Sequence, residues 1–304
     1  MHNYDNYNYW QVDPHELPTR GLMYPKDVKI KIRAMTVLEV KFLATLVPQT
    51  ATTVCNELLE KCIILENLKF EDLYLPDRAF LIFWIRLNSF TSKTGYTINI
   101  PKCTECGQPI EESITLESLK FKYLEKPFID HVYLPDTKIE LKISIPKYKD
   151  SYIIPRDEIE EVAMYIVDDS LSFEEKVEFV TNISAYDYIT IKSIIDENYC
   201  GIKSEYIIVC DNCHKAHSVM LTVNDNNLFT SINLMEILEM ITRIAKYTNV
   251  QITNDWTWVE VEVENAIVDK MMQEENERNK SEINRAKQQA HSVSVPNVPS
   301  VPHF

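Results

Sequence analysis

Two Cys-x-x-Cys pairs constrain this chain more than any other feature: Cys103-Thr-Glu-Cys106, followed by Gly107, and Cys210-Asp-Asn-Cys213, followed by His214. Tyr96, Ile98 and Ile100 precede the first pair, and Ile110, Ile114 and Leu116 follow it. Tyr206-Ile207-Ile208-Val209 precedes the second, and Val219, Leu221 and Val223 follow it. Alternation of apolar and polar residues marks half-buried strands, so each pair is expected at the tip of a β-hairpin. A Cys-x-x-Cys at such a tip turns two thiolates the same way. Two tips facing each other make a tetrahedral four-sulfur site, the zinc-ribbon arrangement. An ordinary ribbon has about 15–20 residues between its pairs, whereas here the whole segment 107–209 separates them. The expectation is a split ribbon whose connecting loop is replaced by an inserted subdomain.

The expected metal ligands are therefore Cys103, Cys106, Cys210 and Cys213, with Zn2+ as the first assignment. Iron on the same sulfurs is the alternative, because soft thiolates take either metal. His214 and His217 offer a ring nitrogen in place of one thiolate, although such residues more often sit outside the ligand set. A redox Cys-x-x-Cys belongs at the start of a helix, whose N-terminus lowers the thiol pKa. Neither pair is followed by a helical pattern. Two unrelated pairs of buried thiols form the bland alternative, and identical spacing in matching hairpin contexts weighs against it. A site closed by four cysteines leaves no position for substrate, so the metal is expected to be structural.

A chain of 304 residues, 45% hydrophobic, holds two domains or one large domain with an insert. Its 46 acidic against 31 basic residues give a net charge of −15. Such a surface repels phosphate backbones, which argues against nucleic acid as a partner. No run of about 18 apolar residues exists, so no membrane span is expected. The start, Met1-His-Asn-Tyr-Asp, has neither the basic nor the apolar part of a signal peptide. Seven cysteines, an odd number, fit a reducing compartment. Cys55 and Cys62 on a helical face, and Cys200, read as small apolar fillers. Glycine occurs only at positions 21, 95, 107 and 201, too scattered for a phosphate-cradling loop. With no His-Glu-x-x-His and no Gly-x-Ser-x-Gly either, no catalytic or organic-cofactor residue is nominated. The chain reads as a non-enzymatic protein that binds other proteins.

The organisation expected is an N-terminal arm (1–16), an N-terminal α/β part (17–96) and the first ribbon hairpin (97–125). An inserted helical and strand subdomain (126–199) and the second hairpin (200–228) follow, then C-terminal helices (229–272) and a polar helix end with a disordered tail (273–304). The fold class is α+β, with helical N- and C-terminal parts around the split ribbon. Residues 1–12 are polar and Tyr/Asn-rich and are expected to order only on a partner. Pro18 and Gly21 indicate a tight turn, with glycine supplying a positive φ. Thr36 and Glu39 form a capping box that opens a helix, with Leu38, Phe42 and Leu46 as its expected apolar face. A second helix buries Val54, Leu58 and Cys62. The apolar run Ala79–Leu87 is expected at the centre of the N-terminal core. Arg86 within it requires a partner, for which Asp77 or Glu39 is expected, and Arg20, Asp77 and Arg86 together read as an ion-pair and capping set.

In the insert, Ile139, Leu141, Ile143 and Ile145 alternate as a strand, and helices open at Pro155, Ser172 and Ser184. Beyond the second hairpin, Leu234, Ile237, Leu238, Ile241 and Ile244 follow helical spacing. The last helix begins at Trp256 and Trp258, read as core residues in preference to exposed interface anchors, with a stripe at Val263, Ile267 and Met271. From Gln273 to Ala290 it is polar on every face. Residues 291–304, with Pro296, Pro299 and Pro302, are expected to be extended.

Three blocks resemble a known family. Leu17-Pro18-x-Arg20-Gly21-Leu22-x-Tyr24-Pro25, a strand, and Met35-Thr36-x-x-Glu39 resemble the N-terminal signature of the T-even-type myophage baseplate hub and hub-assembly family. Asp77-Arg78-x-Phe80-Leu81, Arg86-x-x-Ser89-Phe90, Tyr96 and Cys103-x-x-Cys106 are similar to its second block. Asn254-Asp255-Trp256-x-Trp258-x-Glu260 resembles the entry to its last helix. The likeness covers residues 17–116 well and 205–272 loosely. It implies a non-enzymatic component or assembly chaperone of the central hub of a contractile-tail baseplate. Its implied partners are other baseplate hub proteins, with self-association open. Its implied location is the host cytoplasm during assembly, with retention in the virion tail baseplate left open. Set against this are a zinc-ribbon accessory factor of phage transcription or replication and an enzyme with an unrecognised site. The first needs a localised basic face, which the dispersed basic residues do not provide.

Overall fold

The computed structural model describes residues 8–92, 96–221, 223–229 and 233–293. It opens on an antiparallel three-stranded sheet. Strand β1 (Trp10–Val12) pairs with β2 (Lys29–Ile32), and β2 pairs with β3 (Ile63–Glu66). The end of the expected arm is thus ordered within the chain itself, because Val12 alternates into the core while β2 offers it a free edge. Residues 1–7 lie outside the described residues. Between β1 and β2 the turn at Pro18–Gly21 has φ of 53° at Arg20 and 63° at Gly21. A Cβ on Gly21 would stand 2.7 Å from that of Pro14, so this glycine is required by close approach as well as by φ.

Helices α1 (Val37–Leu43) and α2 (Ala51–Cys62) lie between β2 and β3. In α1 the buried face is Val37, Val40 and Leu43, and Leu38 is 57% exposed. A seven-residue helix that is apolar nearly all round does not announce its inner face; packing against α2 and the C-terminal helix chooses it. α2 buries Val54, Leu58 and Cys62 as its four-residue spacing requires. Helix α3 (Leu75–Ser89) takes Pro76 in its first turn, where no intrahelical N–H is lost. It buries Leu81, Ile82, Phe83 and Ile85 and is touched by α2, by strand β9 (Gly201–Ile202) and by the C-terminal helix.

Two hairpins follow the pattern of the cysteine pairs. β4 (Tyr96–Ile100) pairs with β5 (Ile110–Ile114), and β10 (Glu205–Val209) pairs with β11 (Ala216–Met220), both antiparallel. The chain between them leaves through β6 (Phe121–Lys122) and returns through β9, which pair with each other as Phe121↔Ile202 and Lys122↔Gly201. That neck defines the insert. Inside it are the hairpin β7 (His131–Leu134) and β8 (Ile139–Lys142), then α4 (Glu158–Met164), α5 (Phe173–Asn182) and α6 (Ala185–Glu197). The capping box foreseen at Ser172 forms, with Ser172 accepting from the Glu175 N–H, and Ser184, where a helix was expected to open, accepts from that of Asp187. The insert also folds back on the N-terminal part. Leu75 N–H donates to the Pro146 carbonyl (2.9 Å) and Tyr148 N–H to that of Leu73 (2.7 Å).

The chain ends in α7 (Asp225–Leu228), α8 (Leu234–Thr248) and α9 (Trp258–Val293). α9 starts beside α1: Val37 N–H donates to the Trp256 carbonyl (2.8 Å) and Trp258 N–H to that of Met35 (2.9 Å). Trp258 is buried, as a core residue should be. The buried side of α9 continues through Val261 and Val268, however, while Val263, Ile267 and Met271 are about half exposed. Both stripes have helical spacing; α8 packs on the former, with Arg243 paired to Asp269 at 3.1 Å. Residues 291–293, expected to be extended, continue the helix, and 294–304 lie outside the described residues. No helix among the described residues is long and apolar enough to cross a membrane.

Candidate metal centre

The two hairpin tips meet. The sulfurs of Cys103, Cys106, Cys210 and Cys213 all lie within 4.8 Å of one another. Across the interface, the Cys103 and Cys213 sulfurs are 3.6 Å apart and those of Cys106 and Cys210 3.7 Å apart. A tetrahedron with metal–sulfur bonds of about 2.3 Å has sulfur–sulfur edges of about 3.8 Å, so the spacing suits one tetrahedral ion. All seven cysteines are free thiols. Cys55, Cys62 and Cys200 are buried elsewhere, and burial pushes each thiol above its ordinary range.

Local backbone builds each half-site in the same way. Cys103 N–H donates to the Gln108 carbonyl (2.8 Å) and Gly107 N–H to the Cys103 carbonyl (3.0 Å). In the second tip Cys210 N–H donates to the Lys215 carbonyl (2.9 Å) and His214 N–H to the Cys210 carbonyl (2.8 Å). The residue after the second cysteine has positive φ in both, 75° at Gly107 and 58° at His214. This tight turn aims following N–H groups at the sulfurs. The N–H groups of Cys106 and Glu105 hold the Cys103 thiol well below its usual range, at about 5. Cys106 is lowered by the Asn212 side chain and the Gln108 N–H. At Cys213 the Lys215 N–H also lowers the thiol, but desolvation and hydrogen bonds from the other three sulfurs outweigh it and push it to about 12. Four sulfurs this close do not all ionise without a cation between them, and the donor set fits a divalent thiophilic ion.

His214, at the strained turn position, is exposed, and His217 on β11 lies with Nε2 3.3 Å from the Cys103 sulfur. Such a hydrogen bond to one of the four sulfurs is where a residue outside a four-sulfur ligand set would stand, orienting that sulfur. The sequence left His217 open as a ligand; the four sulfurs form the cluster without it.

The buried charges expected to form one set are divided. Asp77, fully buried, accepts from Thr19 N–H (2.9 Å), Thr19 Oγ1 (2.5 Å) and Tyr24 Oη (2.6 Å). Desolvation raises its carboxyl to about 6 in spite of those donors. Glu39 is gripped by both Arg33 nitrogens (2.6 and 2.8 Å) and accepts from Thr36 N–H (2.7 Å). Burial alone would raise Glu39, but the hydrogen bonds and charge of Arg33 hold it below the usual carboxylate range. Both carboxylates expected for Arg86 are thus engaged elsewhere. Arg86 instead lies over the Phe90 ring at 4.4 Å and donates to the Ser92 carbonyl. Arg20 stacks on Tyr123 at 5.6 Å, which ties the first turn to the neck of the insert. Thr19, Tyr24 and Arg33 were not foreseen in these roles. Arg78 reaches Asn56 (2.6 Å) and Asp225 (2.7 Å), fastening α7 to α2 and α3, a role that its place in the Asp77-Arg78 motif does not reveal.

The result is an α+β protein in which four cysteines from two distant hairpins converge on one point. Residues 17–230, well over half the chain, match the family described as T4 bacteriophage base plate protein, and the chain belongs to that family. No curated protein and no solved structure matches it. Membership makes it a baseplate protein of a T4-type phage, a structural component that contacts other baseplate proteins.

Proposed function

We propose that the chain is a non-enzymatic component or assembly chaperone of the baseplate hub, closed by one structural zinc ion on Cys103, Cys106, Cys210 and Cys213. The family match supports the baseplate role, and the observation that carries the zinc site is the meeting of the four sulfurs from segments on either side of the insert. Four thiolates saturate a tetrahedral ion, and binding of this kind supplies on the order of 10–16 kcal/mol of apparent free energy. The N–H groups of the two tips and His217 would stabilise the negative charge on the sulfurs. Contact surface is supplied by the outer face of the second hairpin, where Ile207, Val209 and Met220 are exposed.

Two measurements test the reading. Metal analysis of the purified chain is expected to give about one zinc per molecule, and a metal-free, well-folded chain would refute the site. Mass spectrometry of purified baseplates and of assembly intermediates addresses the role. Copurification with hub proteins is expected in one or both, retention in finished baseplates marking a component and loss a chaperone. Absence from both, or copurification with a polymerase instead, overturns the hub assignment.

A further inference from the structure

We propose that the outer half of α9 is a parallel two-stranded coiled coil formed with a second copy of this chain. Beyond Met272 the helix leaves the body, and every residue from 273 to 288 is exposed. An isolated helix of that length, polar on most faces, is marginal in water. Its sequence nevertheless carries a seam. Met272, Asn276, Asn279, Ile283 and Ala286 alternate at steps of four and three, the a and d positions of a heptad, and the sequence continues it at Ala290 and Val293. Ile283, the one large aliphatic residue of the outer half, is 55% exposed and falls on the a position. Asn276 also falls on an a position, where a buried asparagine fixes register and favours two strands.

The flanking charges name the occupant and its direction. Glu275 and Glu282 take the g positions, and Lys280 and Lys287 the e positions that follow them. In a parallel, in-register pair each g residue faces the next e residue of the other helix, so Glu275 meets Lys280 and Glu282 meets Lys287 on both sides. An antiparallel pair would set Glu against Glu and Lys against Lys. None of these four residues makes an ion pair among the described residues. The helix is complementary to itself in one orientation only.

Sedimentation equilibrium and light scattering on the full chain test this. Wild type is expected to reach the mass of two chains as concentration rises. Reversing the g charges (Glu275→Lys with Glu282→Lys) is expected to weaken association about tenfold or more, and so is reversing the e charges (Lys280→Glu with Lys287→Glu). An equimolar mixture of the two variants restores every attractive contact and is expected to recover the two-chain mass. Unchanged metal content and melting of each variant show that the body is intact. A single-chain mass for wild type at all concentrations overturns the proposal. Association that ignores the charge reversals, or a mixture that stays monomeric, does so as well.

Discussion

The N-terminal part and the ribbon solve the same problem by different means. Both must hold together segments far apart in sequence. The N-terminal part does so by burial: all but Leu116 and Leu134 of the largest fully buried side chains precede residue 90. Within that core the two buried carboxylates are held by hydrogen bonds, Asp77 by Thr19 and Tyr24, and Glu39 by Arg33 and Thr36. The ribbon has little to bury. Ile98, Ile110, Ile114 and Ile208 turn inward, while Ile207 is 72% and Met220 68% exposed. A two-stranded hairpin is at best marginal in water, so each depends on what joins the tips. Where apolar area is scarce, the ion proposed on the four sulfurs would supply the connection that a core supplies elsewhere.

The largest expected effect sharpens this contrast. Cys103→Ser with Cys210→Ser should release the metal and, with it, binding energy on the order of 10 kcal/mol. Hydrogen exchange should then rise in β4, β5, β10 and β11 while α2 and α3 stay protected. Equal loss of protection in both regions would show that the core leans on the ribbon. Next, Arg33→Met leaves a buried carboxylate unpaired and should cost about 3–5 kcal/mol, read as a lower melting temperature with the zinc stoichiometry unchanged. Loss of zinc in that variant would erase the distinction.

Asp77 gives a smaller, pH-dependent effect. Its carboxyl is raised from 3.8 to about 6 in the folded chain. Between those values the folded state keeps a proton that the unfolded state has lost, so stability falls as pH rises through the window. The full difference is at most about 3 kcal/mol. Asp77→Asn should flatten the pH dependence of denaturant midpoints between about pH 4 and pH 6, and a slope that persists would assign it to other groups. The smallest effect is at the surface: Lys192→Ala, which removes the 2.6 Å pair with Asp196 on α6, should change stability by about 0.5 kcal/mol or less.

The signals legible in the sequence were local ones. The Cys-x-x-Cys tips, the capping boxes at Thr36 and Ser172, the helix start at Ser184, the turn at Gly21 and the spacing in α2 each depend on residues within about one helical turn or one hairpin of each other. Chain order and spacing also carried the family resemblance, which the match over residues 17–230 bears out at the level of the baseplate. Choices that depend on distant neighbours were decided by the tertiary structure alone. The inner faces of α1 and α9 were ambiguous because each helix offers two apolar stripes, and only docking beside Met35 and α8 selects one. The partners of Asp77 lie more than fifty residues away in sequence, and Arg86 lies over Phe90 while both expected carboxylates are held by other residues. Identical spacing suggested that the two cysteine pairs belong together. Their meeting at one point required the neck of β6 and β9, which brings both ends of a long insert to the same place.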